Sequence, residues 1–199
     1  VAMVAALGMA ACSGGASTSS SSSSSAQVGD RSPEQIKEAG EIVIGIFSDK
    51  APFGYIDADG KPAGYDVVYG DRIAADLGVT AKYVPVDAAA RTEVLASNKV
   101  DITLANFTVT PERAEKVDFA NPYFKVSLGV VSPTSAEITD VSQLAGKTLI
   151  VTKGTTAEAY FEANHPEVKL LKFDQYSDAY QALEDGRGDA FSTDNTEVI

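Results

Sequence analysis

Apolar and polar positions divide the chain into short extended runs separated by segments with helical spacing. EIVIGI at Glu41–Ile46 is the apolar run of a buried strand. TAKYVPV from Thr80 is strand-like, and Val100 to Ala105 alternates and is rich in β-branched residues, which predicts a third strand. Between them, Tyr65–Leu77 sets Val68, Ile73, Ala74 and Leu77 mostly on one face with Gly78 as the stop, the pattern of a core-packing helix. Ala88–Ser97 predicts another, with Arg91 in its first turn and Val94 and Leu95 toward the core. Upstream, Ser32-Pro33-Glu34 caps a short helix that ends at Gly40. Strand, helix, strand, helix, strand predicts a parallel sheet with right-handed crossovers.

Phe47–Tyr55 reads as the loop leaving the first strand, and Asp57–Lys61, DADGK, as a tight turn between two short strands. After Tyr123 the pattern changes. Phe124–Val131 is a long extended run with no helix behind it, taken as the connection into a second lobe. A short helix at Val141–Gly146, a strand at Thr148–Val151 and a helix at Thr156–Asn164 follow. Val168–Phe173 and a helix at Ser177–Asp185 repeat the alternation, and a strand at Ala190–Ser192 runs to a loop at Asp194.

The chemistry concentrates between Asn98 and Tyr123. Asn106, Phe107 and Thr108 leave the third strand at its C-terminal end. Thr110, Pro111 and Glu112 then form a helix start, with a capping hydroxyl, a proline at the first position and an acid in the first turn, which puts Arg113 in that turn. In open α/β sheets this meeting of strand end, loop and helix N-terminus is where ligands bind. Free N–H groups there attract an anion, and the Arg113 guanidinium is a planar fork matched to a carboxylate. Spacing alone equally allows Arg113 to be a surface residue paired with Glu112 or Glu115.

Composition narrows the function by exclusion. The 199 residues are 44% hydrophobic and 22% charged, ordinary globular values, while a net charge of -12 argues against nucleic acid and anionic membrane as partners. A single cysteine, Cys12, forms no intramolecular disulfide and no cysteine metal cluster. The single histidine, His165, sits in NHPE, a helix end and turn, and reads as a surface residue rather than a catalytic one. DADGK lacks the rest of an EF-hand loop, so no calcium site is expected. Neither metal nor cofactor is expected.

The runs TVTPERAEKVDFANPY, GYDV at Gly64–Val67, KVDI at Lys99–Ile102 and KGTTAEAY at Lys153–Tyr160 resemble the extracellular solute-binding proteins of polar amino acid ABC importers, from about Glu41 to the end. The resemblance implies an α/β, two-lobed type II periplasmic-binding-protein fold that closes on a free amino acid. It implies that Arg113 takes the α-carboxylate, helped by Thr108 and Thr156, and that Asp194 takes the α-ammonium, with the Asn106 carbonyl sharing that work. Arg187-Gly188-Asp189 matches the family's turn before a strand rather than an integrin motif. Positions that hold aromatics in many relatives are Lys50 and Ala88 here. Lys50 and Arg91 would make the pocket more positive and favour an acidic side chain, and Phe53 either walls the pocket or belongs to the core. The overall combination most resembles the cysteine-binding branch, with glutamate or aspartate as the competing ligand.

A related cleft enzyme, of the cyclic amino acid dehydratase type, is the rival, with Glu112 or Asp87 as its acid. A sensory or adhesive surface lipoprotein is a third reading.

VAMVAALGMAAC, residues 1–12, resembles the end of a bacterial lipoprotein signal, with Cys12 acylated as a membrane anchor and the Ser-rich residues 13–31 as a tether. Lobe 1 is then expected over residues 32–127 and an incomplete lobe 2 over residues 128–199. The expected whole is a fragment, truncated at both ends, of a monomeric, lipid-anchored, extracytoplasmic receptor that serves an ABC permease.

Overall fold

A computed structural model describes residues 27–197. The first half contains α1 (Pro33–Ala39), β1 (Glu41–Ile46), β2 (Asp49–Lys50), β3 (Gly54–Ile56), β4 (Pro62–Ala63), α2 (Tyr65–Leu77), β5 (Thr80–Pro85), α3 (Arg91–Ala96), β6 (Ile102–Thr103) and α4 (Pro111–Ala114). The second contains β7 (Leu128–Val131), β8 (Thr148–Thr152), α5 (Thr156–Asn164), β9 (Lys169–Phe173), α6 (Tyr176–Glu184) and β10 (Ala190–Asp194).

The first sheet has the order β5-β1-β6 and is parallel throughout, as the alternation of elements predicts. On one side α1 and α2 cover it, burying Ile36, Ile42, Ile44 and Ala74 together. Val68 does not join them and is 71% exposed. Val67 packs there instead, with Ile73 and Leu77. The α2 face is phased by Gly70, where a Cβ would meet the Tyr83 hydroxyl at 2.8 Å and Ile44 Cδ1 at 3.0 Å. Positions 67, 70, 74 and 77 therefore face the sheet, and Val68, about 100° further round, faces out. Asp66, in the first turn, is fully buried, and neither carboxylate oxygen has a partner among the described residues.

The third strand is shorter than its alternation suggests. Asp101 diverts it: its Oδ2 accepts the Val43 N–H at 2.7 Å, a donor that a longer ladder would use. Asp101 also accepts the Gly29 N–H at 3.0 Å and pairs with the Arg31 guanidinium. Residues 28–31 are thus folded onto the first sheet rather than serving as tether, because Asp101 gives them a buried partner.

Phe47–Tyr55 is not all loop. It contributes β2 and β3, which form with β4 a small antiparallel sheet around the Asp57–Lys61 turn. Asp57 Oδ1 accepts the Asp59 and Lys61 N–H groups, both at 2.9 Å, so this carboxylate fixes the turn.

The second sheet has the order β7-β10-β8-β9, with β7 antiparallel to β10. β10 continues to Asp194, opposite Leu128, two residues past the expected strand end, because β7 supplies a partner for them. One apolar cluster joins the two halves: Val43, Phe47 and Val100 from the first, Ile150, Tyr176 and Phe191 from the second. The Phe47 and Tyr176 rings meet edge to face at 5.3 Å.

Candidate ligand-binding site

A small polar cavity opens where the two sheets face each other. Its lining includes Asn106, Thr108 and Arg113 from the β6–α4 connection, Thr155 and Thr156 from the start of α5, and Arg91, Tyr176 and Asp194. Six of the eight ligand-binding residues anticipated from sequence, Arg113, Asp194, Thr108, Thr156, Asn106 and Arg91, therefore share one surface. Lys50 and Phe53 do not line it.

The Thr110 hydroxyl caps α4 by accepting the Arg113 N–H at 3.3 Å, which fixes that side chain at the cavity edge. Arg113 Nη1 donates to the Thr108 carbonyl and Nη2 to the Gly154 carbonyl, each at 2.8 Å. Three of the five guanidinium N–H donors remain without a partner among the described residues. Burial lowers the Arg113 pKa from its usual value, opposed by the nearby Tyr176 and Asp194.

Arg91 has another role than a free pocket charge. It is 2% exposed. Its Nε donates to the Ala88 carbonyl at 2.8 Å, Nη1 to Ala105 at 2.8 Å and Asn106 at 3.0 Å, and Nη2 to Gly154 at 3.0 Å. Burial, with Arg113 close by, pushes its pKa down to about 10, so it stays charged at neutral pH. The side chain is a strut that holds the Asn106 loop and ties it to Gly154. The Asn106 carbonyl, expected to meet a ligand ammonium, is accordingly taken by Arg91 and by the Thr108 N–H at 3.0 Å. What Asn106 offers is its amide, 3.4 Å from Asp194 Oδ2. Phe107 packs against both guanidinium groups, its ring centre 4.7 Å from Arg91 and 4.9 Å from Arg113.

At the opposite wall the N-cap of α5 is Thr155, whose Oγ1 accepts the Glu158 N–H at 3.2 Å and donates to the Thr152 carbonyl at 2.6 Å. This leaves Thr156 at the first helical position, lining the cavity beside the free N–H groups of the helix start. Asp194 is 7% exposed and is the acidic residue of the lining. Two guanidinium groups and a helix N-terminus thus share a cavity with one carboxylate, complementary to a small molecule that carries both an anion and a cation.

The expected positive contribution of Lys50 is absent for a geometric reason. Its ammonium sits behind the lining rather than in it, 2.8 Å from Glu197 Oε1 and 3.2 Å from Asp194 Oδ2, with 1% of the residue exposed. Burial lowers its pKa, but Tyr176, Glu197 and Asp194 outweigh that and hold it above the ordinary lysine value. Phe53 takes the core alternative, packed edge-on against Tyr65 and Phe124.

Sequence reasoning missed Thr155 and Tyr176. Thr155 was legible as the earlier of two adjacent threonines before a helix. Tyr176 sits one residue ahead of the expected helix start, and nothing in the local sequence marks its inward turn.

Glu112 and Asp87, the acids considered for an enzyme, are exposed and do not line the cavity. His165 caps the end of α5 against Tyr160 and Glu167. No cluster of three or more metal-ligating side chains occurs among the described residues. In the Arg187-Gly188-Asp189 turn, Arg187 stacks on Phe173 at 5.1 Å and Asp189 accepts the Thr148 N–H at 2.7 Å, so both charged groups are engaged within the fold. No helix among the described residues is long and apolar enough to cross a membrane. Cys12 lies outside the described residues.

Residues 42–198 match the family of bacterial extracellular solute-binding proteins, family 3. The chain belongs to that family. Among solved structures, this family 3 chain is similar to the solute receptor for L-cysteine of Neisseria gonorrhoeae, with 56% identity and a TM-score of 0.81 over 83% of this chain and 68% of that one. It is also similar to the cysteine-binding protein of Campylobacter jejuni, with 53% identity and a TM-score of 0.80 over 82% and 67% of the two chains. A curated relative, the ABC transporter glutamine-binding protein GlnH of Bacillus subtilis, is 31% identical over 165 residues, 80% of this chain and 60% of that protein. The chain spans 60–66% of the length of the first curated relatives it matches. The family assignment and the mixed α/β architecture agree with the two-lobed type II fold expected from sequence.

Proposed function

We propose that this protein is the substrate-binding component of an amino acid ABC importer, closing lobe 1 (residues 32–127) and lobe 2 (128–199) on a free amino acid and delivering it to a membrane permease. Cysteine is the favoured ligand, with glutamate and aspartate next. The observation that carries the reading is the meeting of Arg113, Thr108, Thr156 and Asp194 at one cavity. Arg113 and the start of α5 receive the α-carboxylate, and Asp194 receives the α-ammonium. Each ligand charge then keeps a partner when it leaves water, which burial requires.

Cysteine is favoured by the 56% and 53% identity with two cysteine receptors. Withdrawal of Lys50 from the lining also weakens the Coulomb argument for an acidic side chain. The ligand would bridge Arg113 in one lobe and Thr156 and Asp194 in the other, so the closed form gains contacts that an open form lacks. Micromolar affinity corresponds to about -8 kcal/mol, within reach of several charge-assisted hydrogen bonds. A receptor is preferred to a cleft enzyme because Glu112 and Asp87 lie off the cavity. In this reading the protein works as a monomer outside the cytoplasm, and acyl chains on Cys12 hold it at the membrane, each buried CH₂ contributing about 0.8 kcal/mol.

The test is isothermal titration of the full-length, unacylated protein, freed of bound ligand, with cysteine, cystine, serine, glutamate, aspartate and glutamine. Reductant is present except with cystine. Tight cysteine binding that disappears in Arg113→Ala is expected. Preference for glutamate or aspartate keeps the receptor and changes the ligand, whereas no binding by folded protein overturns the receptor reading.

A further inference from the structure

Lys50 crosses from β2 to the second half of the chain and ends in a cage. Glu197 Oε1 is 2.8 Å from Nζ, the Tyr176 hydroxyl 3.1 Å and Asp194 Oδ2 3.2 Å. The Tyr176 and Phe47 ring centroids lie 4.3 Å and 5.3 Å from the same nitrogen. Two carboxylates, a hydroxyl and aromatic faces form the chemistry that recognises an alkylammonium ion. Glu197 is itself held, accepting from the Tyr180 hydroxyl at 3.1 Å and from Thr193 at 2.9 Å, so the cage is not built by Lys50 alone. Tyr176 and Asp194 belong both to the cage and to the lining of the ligand cavity. The two spaces therefore share a wall.

We propose that this cage is a latent subsite for the cationic side chain of a basic amino acid, and that Lys50 occupies it from within the protein, making Lys50 the residue that excludes lysine, ornithine and arginine. The inference rests on the amino acid receptor reading. With Lys50 in place, its ammonium fills the space between the two carboxylates and the Tyr176 ring, so a ligand cation finds the cage already occupied. Without the Lys50 side chain, Glu197 is left buried behind the Asp194 and Tyr176 wall without its cation, and a ligand side-chain cation that passes that wall restores the missing charge. Lys50→Ala empties the cage. Lys50→Met removes the charge and keeps an apolar chain in the space.

The experiment titrates the full-chain wild type, Lys50→Ala and Lys50→Met with cysteine, serine, lysine, ornithine and arginine, and records their melting temperatures with n-propylammonium chloride or with sodium chloride at equal ionic strength. Wild type is expected to reject the three basic amino acids at millimolar concentration. Lys50→Ala is expected to bind at least one of them tenfold or more tighter than wild type, and to melt higher with propylammonium than with sodium. Lys50→Met gains neither property. Wild type that binds a basic amino acid as tightly as a neutral one overturns the proposal, as does folded Lys50→Ala with no gain in affinity and no amine-dependent stabilisation. If Lys50→Ala does not fold in plain buffer, refolding in propylammonium decides: recovery supports the cage and failure to recover overturns it. Wild type that binds none of the five amino acids counts against the receptor reading, while the amine-dependent melting still tests the cage.

Discussion

A Cβ placed on Gly154 would stand 2.4 Å from the Cα of Ala89. The turn before α5 thus packs backbone against backbone on the turn before α3, with Gly154 at a φ of +72°. This close approach lets the Gly154 carbonyl reach both Arg91 and Arg113. Gly154→Ala adds a clash and a left-handed strain of about 1–2 kcal/mol. Ligand binding by this variant is expected to weaken about tenfold or more, measured by titration, with the secondary structure unchanged by circular dichroism.

Arg113→Ala should separate binding from folding. The side chain makes two hydrogen bonds to carbonyls and otherwise presents donors to the cavity. Titration is expected to show a loss of about 100-fold or more, in line with a charge-assisted, two-pronged contact worth roughly 3 kcal/mol. The urea midpoint should move little.

Arg91→Ala should do the reverse. Four carbonyls, those of Ala88, Ala105, Asn106 and Gly154, lose a buried donor. Urea unfolding is expected to show a loss of roughly 3–5 kcal/mol, the size seen when a buried charged hub is removed. Unchanged stability would mean that the strut is dispensable.

Two buried aspartates give the pH dependence opposite signs. Burial pushes the Asp66 pKa up to about 7, against an unfolded value of about 3.9. Between these values the unfolded chain releases the proton and the folded one keeps it, so stability falls by at most about 1.4 kcal/mol per pH unit as pH rises and levels off above the folded pKa. Asp66→Asn is expected to remove that decline and to exceed wild type in urea unfolding at pH 8.

Asp101 behaves in the other direction. Burial raises its pKa, but the Arg31 hydrogen bond and the Val43 and Gly29 N–H groups outweigh that, and the net shift is downward. Its contribution is present above the unfolded pKa of about 3.9 and is lost as pH falls through the lower folded value. Asp101→Asn should therefore cost about 1–3 kcal/mol at pH 7 and progressively less below pH 4, read from acid titrations of stability.

The parts legible in sequence were those with local signals. Pro111 after Thr110 gave α4 its start, Gly78 ended α2, and the α5 bounds at Thr156 and Asn164 match the helical spacing. The meeting of Thr108, Arg113, Thr156 and Asp194 was legible through resemblance combined with the strand-end rule. The roles of Arg91 and Lys50 were not, because charge and position in sequence do not reveal which carbonyls or carboxylates the fold will bring within reach. Val68 illustrates the same limit on a helix: the small Gly70, which sets how closely α2 approaches β1, shifts the buried face by one residue.

The packing of the Phe107 ring on Arg91 and Arg113 has a spectroscopic consequence. The chain contains no tryptophan, so tyrosine dominates its emission and reports on many sites at once. An aromatic ring 4.9 Å from the Arg113 guanidinium carbon and 4.7 Å from that of Arg91 instead imposes a ring current on those two groups. In a ¹⁵N spectrum the Arg113 Nε–H resonance should stand apart from those of exposed arginines. A carboxylate that draws the guanidinium off the ring would register as a change in its frequency, an intrinsic signal of site occupancy that needs no attached label.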